Sequence, residues 1–254
     1  MKKQLSLCLL IVAFATGCKK GAITNKPTSP SATVYLPNVF TNTRGPQTVT
    51  YQVDAKNRLI DVVNNYPFPA EVRLTYDTND HLTETDSYGS GVLMETDTYA
   101  YSTGIVNVQS KIYTGNTTIS ASSVLTLNSN LQVIKRAYLS IYETYTYDNA
   151  GNVSSYSSYP IPTATTPSYT YNYTYDNKKS SFSNLKGNPN IYGVGPEFAN
   201  NMLTSTMITT GGNPSTQTTT YTYTYNADDY PVSRTSVITG STVVGTETFS
   251  YTLK

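Results

Sequence analysis

A short pattern, in which a tyrosine-rich run ends in Asp or Asn, recurs along the 254-residue chain and constrains its fold more than any other feature. The copies are YQVDAKNRL from Tyr51, LTYDTNDHL from Leu74, LTLNSNLQV from Leu125, YTYDNAGNV from Tyr145, YTYDNKKSSF from Tyr173 and YTYNADDYPV from Tyr223. Successive copies lie 20 to 28 residues apart, or about twice that distance. A period near 25 residues has room for two short strands and two turns, so the sequence predicts a repeated β-hairpin.

The polar residues of this pattern have the chemistry of a turn. An Asp or Asn ends the strand, where its side chain can bond to the backbone two residues later. Three positions later comes a residue that tolerates the left-handed conformation, as in a common type of hairpin connection. We therefore interpret the following residues as turn formers rather than catalytic carboxylates: Asp54, Asn57, Asp77, Asp80, Asp148, Gly151, Asn226 and Asp229.

Composition and turn spacing together predict the fold class. The chain has 24 Tyr and no Trp, and Thr and Ser are abundant, a bias that favours strands over helices. Turn signals recur about every 8–12 residues. We predict one all-β domain over residues 47–254, an antiparallel meander of about 16 strands that forms a barrel or half-barrel.

Two of the predicted strands carry Tyr at every second position. Successive side chains of a strand point to opposite faces, so each strand has one aromatic face and one hydroxyl-rich face. The rings could fill a one-sided core, or they could form an exposed floor for a glycan or a peptide. The possible ligand face comprises Tyr169, Tyr171, Tyr173, Tyr175, Tyr221, Tyr223 and Tyr225.

The N-terminus has the features of a secretory signal. Two lysines precede the apolar run LSLCLLIVAFA, which is too short to span a bilayer, and small residues follow it. The sequence ATGC at residues 15–18 resembles the lipobox of bacterial lipoproteins, which implies cleavage after residue 17 and lipidation of Cys18. We therefore predict a signal peptide over residues 1–17 and a lipidated, flexible tether, rich in Pro, Ser and Thr, over residues 18–46.

Charge and the predicted lipid bear on location and partners. Removing Lys2 and Lys3 from the 17 basic residues leaves 15 against 16 acidic ones, so we expect no nucleic-acid partner. The lipid would hold the protein on a membrane. Lys19 is not an Asp-type signal for retention in the inner membrane, so we expect the outer membrane, with the leaflet left open.

The repeats also resemble two kinds of surface protein. The Tyr-Asp motif with a later Gly is similar to the YD repeats of RHS-type proteins, which wind as β-hairpins. A family of uncharacterised Gram-negative envelope lipoproteins with a porin-like β fold is closer, since it combines a lipobox and YD-like hairpins with segments similar to YTYDNKKSSF and FANNMLTS. Ser180 and Ser181 stand where that family suggests Asn-Pro. The resemblance implies a fold and a location, and no activity.

Signals for catalysis and for cofactors are sparse. His81 is the single histidine and falls in a predicted turn, and the chain lacks a His and Cys cluster for zinc, so we expect no cofactor. One acidic hairpin is a weak Ca²⁺ or hydrolase candidate. A two-residue loop would bring its four carboxylates to one face, whereas a three-residue loop would place the two pairs on opposite faces. The four carboxylates are Glu84, Asp86, Glu95 and Asp97.

The alternation of the strands breaks between residues 177 and 200, where Gly and Pro are frequent. We predict a long loop there, a candidate for a specific contact, and a short helix from Glu197 to Leu203.

Three functional hypotheses follow from the sequence. The first is a lipid-anchored, non-enzymatic envelope protein that binds a glycan or a protein partner. The second is an integral outer-membrane β-barrel, and the third is a hydrolase or calcium-binding protein that uses the acidic hairpin.

Overall fold

The computed structural model describes residues 34–42, 47–65, 69–160, 163–187, 199–210, 213–242 and 244–254. The predicted signal peptide, Cys18 and the first part of the predicted tether lie outside the described residues.

The described residues form a closed barrel of sixteen antiparallel strands in which neighbours in sequence are neighbours in the sheet. The last strand pairs with the first and closes the barrel. The predicted all-β meander of about 16 strands is thus confirmed, and the barrel is closed rather than half-open. The strands are β1 (Tyr35–Asn42), β2 (Gln47–Val53), β3 (Leu59–Asn64), β4 (Ala70–Tyr76), β5 (Leu82–Gly89), β6 (Val92–Ser102), β7 (Ile105–Thr114), β8 (Thr117–Leu127), β9 (Val133–Ala137), β10 (Tyr142–Tyr147), β11 (Val153–Tyr159), β12 (Tyr169–Lys179), β13 (Asn200–Thr209), β14 (Ser215–Tyr225), β15 (Pro231–Ile238) and β16 (Val244–Leu253).

Two stretches differ from the sequence-based expectation. Strand β1 lies inside residues 18–46, the segment predicted as a flexible tether, because its backbone pairs with β2 and β16 despite Pro37. The predicted helix from Glu197 to Leu203 is wrong for residues 200–203, which belong to β13 and pair with β12 through Asn200 and Met202. Glu197 and Phe198 lie outside the described residues. In both places long-range pairing outweighs the local Pro and Gly signals.

An apolar cluster shows which side chains point into the lumen. Leu59 of β3, Val106 of β7 and Leu125 of β8 belong to this one cluster, although these three strands are not all neighbours in the sheet. In a closed barrel such side chains meet across the lumen. Tyr145 packs against the same cluster and pairs with Tyr156 on the next strand. Paired residues share a face of the sheet, so this alternation can be followed strand by strand around the barrel.

When the alternation is followed in this way, the tyrosine rows prove to line the lumen. Tyr156 pairs with Tyr171 of β12, which pairs with Met207 of β13, which pairs with Gln217 of β14. Steps of two residues from Gln217 lead along the inner face of β14 to its three tyrosines, at positions 221, 223 and 225. The hydroxyl-rich face of each strand consequently lies on the outside.

The outer surface carries mainly threonine and serine on these strands. The outward positions 216, 218, 220, 222 and 224 of β14 are all Thr. Hydroxyl groups of neighbouring strands bond to each other on this surface. These pairs include Ser157–Thr170 at 2.8 Å, Thr174–Thr204 at 2.7 Å and Thr206–Thr218 at 3.0 Å.

Five turns of one rim repeat a single hydrogen-bond arrangement within the described part of the chain. In each turn, one side-chain oxygen of the first residue accepts the N–H groups of the second and fourth residues after it, at 2.8–3.0 Å. The third residue after it has a φ of 60° to 92°. The first residues are Asp54, Asp77, Asn128, Asp148 and Asn226. These side chains are spread around the rim and do not converge in one pocket.

The tyrosine of the repeat has a structural role that the sequence analysis did not identify. Near the end of an even-numbered strand, its hydroxyl donates to the backbone carbonyl of the first residue of the preceding strand. Four such bonds are Tyr76 to Leu59 at 2.9 Å, Tyr147 to Val133 at 2.7 Å, Tyr175 to Val153 at 2.7 Å and Tyr251 to Pro231 at 2.6 Å. The signal was present in the sequence as Tyr, rather than Phe, close to the turn.

Residues 180–187, here called the floor segment, follow β12 and cross this same end of the barrel. Leu185 is buried in the apolar cluster, and Phe182 packs edge-on against Tyr51 with ring centroids 5.3 Å apart. The side-chain amide of Asn184 donates to the carbonyl of Tyr35 and to the hydroxyl of Tyr230. The floor segment and the apolar cluster therefore fill the lumen at the rim that carries the five turns.

Candidate functional site

The other half of the lumen has a polar and aromatic lining. Its aromatic part, here called the tyrosine wall, consists of Tyr145, Tyr156, Tyr169, Tyr171 and Tyr173, which are all partly exposed. The ring of Tyr156 lies 5.8 Å from that of Tyr169 and 6.0 Å from that of Tyr171. Tyr171 and Tyr173 stack almost parallel at 6.1 Å. Adjacent rings thus form a continuous surface.

Glu143 of β10 fixes the orientation of this wall. One carboxylate oxygen accepts the hydroxyl of Tyr145 at 2.7 Å, and the other accepts the hydroxyl of Tyr156 at 2.8 Å. The hydroxyls of Tyr156 and Tyr169 are in turn 3.1 Å apart. Burial, together with the carboxylate of Glu143, raises the pKa of Tyr145 and of Tyr156. These two hydroxyls remain protonated donors over the whole neutral range.

The structure divides the predicted ligand face into two groups. Tyr175, Tyr223 and Tyr225 lie towards the floor, where their hydroxyls bond to Val153 O, to Met202 O and to the Asp176 carboxylate. Tyr169, Tyr171 and Tyr173 belong to the tyrosine wall in the polar half, and Tyr221 lies under the guanidinium of Arg234. The floor-side rings bond to the scaffold through their hydroxyls, whereas the wall rings are partly exposed in the lumen.

Arg234 and Glu247 form an ion pair in the lumen. Their side chains are 14% and 11% exposed, so the pair is largely shielded from water. The guanidinium lies over the ring of Tyr221, 4.9 Å from its centroid, and Glu247 also accepts the side-chain amide of Asn42 at 3.2 Å. Each charge is therefore balanced by the other.

A cavity of about 180 Å³ lies between β5 and the end of β9. Its lining includes the charged side chains of Glu95, Asp97 and Arg136 and the rings of Tyr99 and Tyr138. Small hydroxyl side chains of β5, β7 and β8, together with Val108 of β7, complete it. The mixture of rings, hydroxyls and charges is that of a site for a polar ligand with a flat face.

The four carboxylates of the acidic hairpin are not brought together. Its loop, Ser90 and Gly91, has two residues, but the register shifts next to it and leaves Met94 without a partner. Ser87 therefore pairs with Glu95, and Thr85 with Asp97, so that Glu95 and Asp97 face the cavity. Glu84 and Asp86 lie on the outer face. The arrangement of all four carboxylates on one side, expected for a two-residue loop, is overturned by this bulge.

The two inward carboxylates form the acidic side of the cavity. Oxygen Oδ1 of Asp97 is buried and makes no hydrogen bond to any described residue. Burial and the adjacent charge of Asp97 raise the pKa of Glu95. Burial raises the pKa of Tyr99 to about 12, and its hydroxyl lies 3.2 Å from the hydroxyl of Thr85. The lining here is desolvated and carries negative charge.

Arg136 connects the cavity to the tyrosine wall. It stands directly opposite Glu143 on the neighbouring strand, and its guanidinium donates to the hydroxyl of Tyr138 at 3.3 Å. Arg136 therefore lies between Glu143 and the two carboxylates of the cavity, Glu95 and Asp97. Neither Glu95 nor Asp97 forms an ion pair with a described residue, and the cavity lining, with two carboxylates and one guanidinium, is net negative.

The other sequence candidates lie apart from this site. His81 is in the β4–β5 turn, with Nδ1 3.2 Å from the Asp77 carboxylate and its ring stacked on Tyr101. Among the described residues, no group of three or more His, Cys, Asp or Glu side chains could hold a metal ion. The same residues include no helix long and apolar enough to cross a membrane.

Comparisons with known proteins concern the fold. No protein-family model matches the chain. No curated protein matches it either. Among solved structures, a porin-like protein from Bacteroides vulgatus is similar over 85% of this chain and 99% of its own, with 14% identity and a TM-score of 0.43. A porin-like protein from Bacteroides uniformis is similar over 89% and 98%, with 14% identity and a TM-score of 0.40.

Proposed function

We propose that this protein is a lipid-anchored, non-enzymatic component of the cell envelope, held at the outer membrane through Cys18, and that the polar half of its lumen binds a glycan. The observation that carries the proposal is the orientation of the strands: the aromatic faces line the lumen and the hydroxyl faces lie outside.

The outer surface favours a barrel in water over a barrel in lipid. A transmembrane β-barrel needs an outward apolar band about 25 Å tall, with polar residues inside. Here the outward row of β14 is entirely threonine, and the tyrosines point inward. Exposed aliphatic side chains such as Ile105 and Val124 occur on β7 and β8, and none lies in the outward row of β14. Attachment through a lipid at Cys18 would then account for membrane association.

The lining of the lumen favours a sugar as ligand. Sugar rings present C–H faces that pack on aromatic rings, and hydroxyl groups that bond to carboxylates and guanidinium groups. The tyrosine wall supplies the rings, and the adjacent cavity supplies Glu95, Asp97 and Arg136. The floor segment and the apolar cluster fill the lumen at the rim that carries the five turns. The site is therefore closed at that end, and a ligand would enter from the opposite rim.

A glycan array probed with residues 19–254 tests the proposed ligand class. We expect binding to a defined group of glycans, together with no turnover of polysaccharides or peptides. Tyr171→Ala should weaken binding at least tenfold, because it removes one ring of the wall. Asn172→Ala, at the next position but on the outer face, is the matched control and should leave binding unchanged.

Two results would overturn the proposal. One is an array without any bound glycan, and the other is equal loss of binding in the two variants. The anchor is tested separately by mass spectrometry of the purified protein, in which Cys18 should carry acyl chains and Cys18→Ser should release the protein from the membrane.

A further inference from the structure

We propose that the cavity between β5 and β9 receives a single sugar ring that carries a protonated amine, and that Asp97 and Glu95 bind this amine. The inference rests on the proposed function and narrows it to amino sugars, as opposed to neutral glycans.

The size of the cavity indicates one ring. A cavity of about 150 Å³ accepts a benzene molecule, so the 180 Å³ found here matches one six-membered ring with a few substituents. Tyr99 and Tyr138 border this space, and a ring that entered it would contact the faces or edges of their side chains. Longer glycans would extend from the cavity along the tyrosine wall.

The charges of the lumen indicate an amine. Arg136 stands opposite Glu143 and lines the same cavity as Glu95 and Asp97, so one positive charge faces two negative ones there. Arg234 is paired with Glu247. Glu95 and Asp97 have no such partner among the described residues, and one oxygen of Asp97 is buried without a hydrogen bond. Two like charges on one face destabilise each other unless a cation or water lies between them. A ligand cation would relieve this repulsion, whereas a neutral hydroxyl would not.

The spacing of the two carboxylates suits an ammonium group. Glu95 and Asp97 are two positions apart on β6 and point to the same face, so their backbones are separated by roughly 7 Å. An ammonium has three N–H donors and can bond to both carboxylates at once. The nearby ring of Tyr99 adds a surface that attracts cations. A metal ion would require more oxygen ligands than these two side chains supply.

Three trisaccharides with the same backbone test the inference: cellotriose, its N-acetylated 2-amino counterpart and the deacetylated 2-amino form. Binding to the full chain, purified in a detergent without a sugar headgroup, is measured by calorimetry at about pH 6. We expect the deacetylated form to bind at least tenfold more tightly than the other two, because it alone carries ammonium groups that can form charged hydrogen bonds with the carboxylates.

Variants of the two carboxylates distinguish loss of the contact with the amine from loss of the fold. Asp97→Asn and Glu95→Gln should each reduce the preference for the amine about tenfold. Asp86→Asn, on the outer face of the neighbouring strand, should leave it intact. The unfolding midpoint of each variant shows whether the barrel is retained.

Equal binding of the three trisaccharides would overturn the inference and leave the proposed function standing. A preference for the amine that persists in both Asp97→Asn and Glu95→Gln would also overturn it. If none of the three binds, the inference falls, and the glycan array with Tyr171→Ala decides the proposed function independently.

Discussion

The turn at Asp148 gives the sharpest test of a structural role for the recurring acidic residues. Its Oδ1 accepts the N–H groups of Ala150 and Asn152, each at 2.9 Å, and Oδ2 accepts the side-chain amide of Asn152, also at 2.9 Å. Asn152 is completely buried. Asp148→Ala would leave the buried N–H of Asn152 without an acceptor, while the N–H of the exposed Ala150 could bond to water.

The expected loss can be worked out from these contacts. A buried donor without a partner costs about 1–3 kcal/mol, and a hydrogen bond to a charged group contributes about 1.5–3 kcal/mol. We therefore predict that Asp148→Ala lowers the free energy of unfolding by about 2–4 kcal/mol. Asp148→Asn keeps an acceptor oxygen, as Asn128 and Asn226 do in their own turns, and should cost about 1 kcal/mol.

Equilibrium urea unfolding of residues 19–254, followed by circular dichroism, measures both losses. Asn149→Ala is the matched control, because Asn149 is exposed at the tip of the same turn, and its effect should stay within about 0.5 kcal/mol. If Asp148→Asn lowers the free energy of unfolding as much as Asp148→Ala does, the acceptor oxygen that Asp and Asn share is not what stabilises this turn. If neither variant changes stability, the hydrogen bonds of this turn do not support the barrel.

Three further predictions concern the same scaffold. Leu131 has a φ of 60°, where the other turns have Asn, Asp or Gly, so Leu131→Asn should raise the free energy of unfolding by about 1 kcal/mol; a lower urea midpoint would contradict this. Tyr147→Phe removes the hydroxyl that donates to Val133 O and should cost about 1 kcal/mol in the same assay, whereas an unchanged midpoint would show that the bond is dispensable. Burial raises the pKa of Tyr76, Tyr99 and Tyr147 to about 12, so their contribution to stability is complete below the ordinary pKa near 10 and is lost as pH rises towards 12. The β-sheet signal should therefore be lost as pH rises from 10 towards 12; ionisation of these three rings near pH 10 in a folded barrel would show that water reaches them freely.

Local chemistry made the strand number and the turn residues predictable. An Asp or Asn followed by a residue that tolerates positive φ specifies its own turn through backbone bonds, as Asp54 and Asn57 do. Alternation of Tyr and Thr likewise specifies that β14 has two different faces. Neither feature depends on distant parts of the chain.

Features that depend on distant residues were not predictable in the same way. The alternation of β14 does not reveal which face is inside, since closure of the barrel depends on pairing between β1 and β16. The bulge at Met94 places Glu95 and Asp97 on the opposite face from Glu84 and Asp86, although the loop has the two residues that would otherwise bring all four to one face. A one-residue bulge leaves no clear mark in the sequence, and the cavity depends on it.

The most direct test of the account is whether the outer surface of the barrel faces water. Residues 19–254 are expressed without the signal peptide and studied in detergent-free buffer by analytical ultracentrifugation and circular dichroism. With threonine on the outside and tyrosine in the lumen, we predict a dispersed, β-rich protein that unfolds cooperatively in urea. Aggregation that is relieved only by detergent or lipid would contradict the account and identify the barrel as a membrane-spanning one.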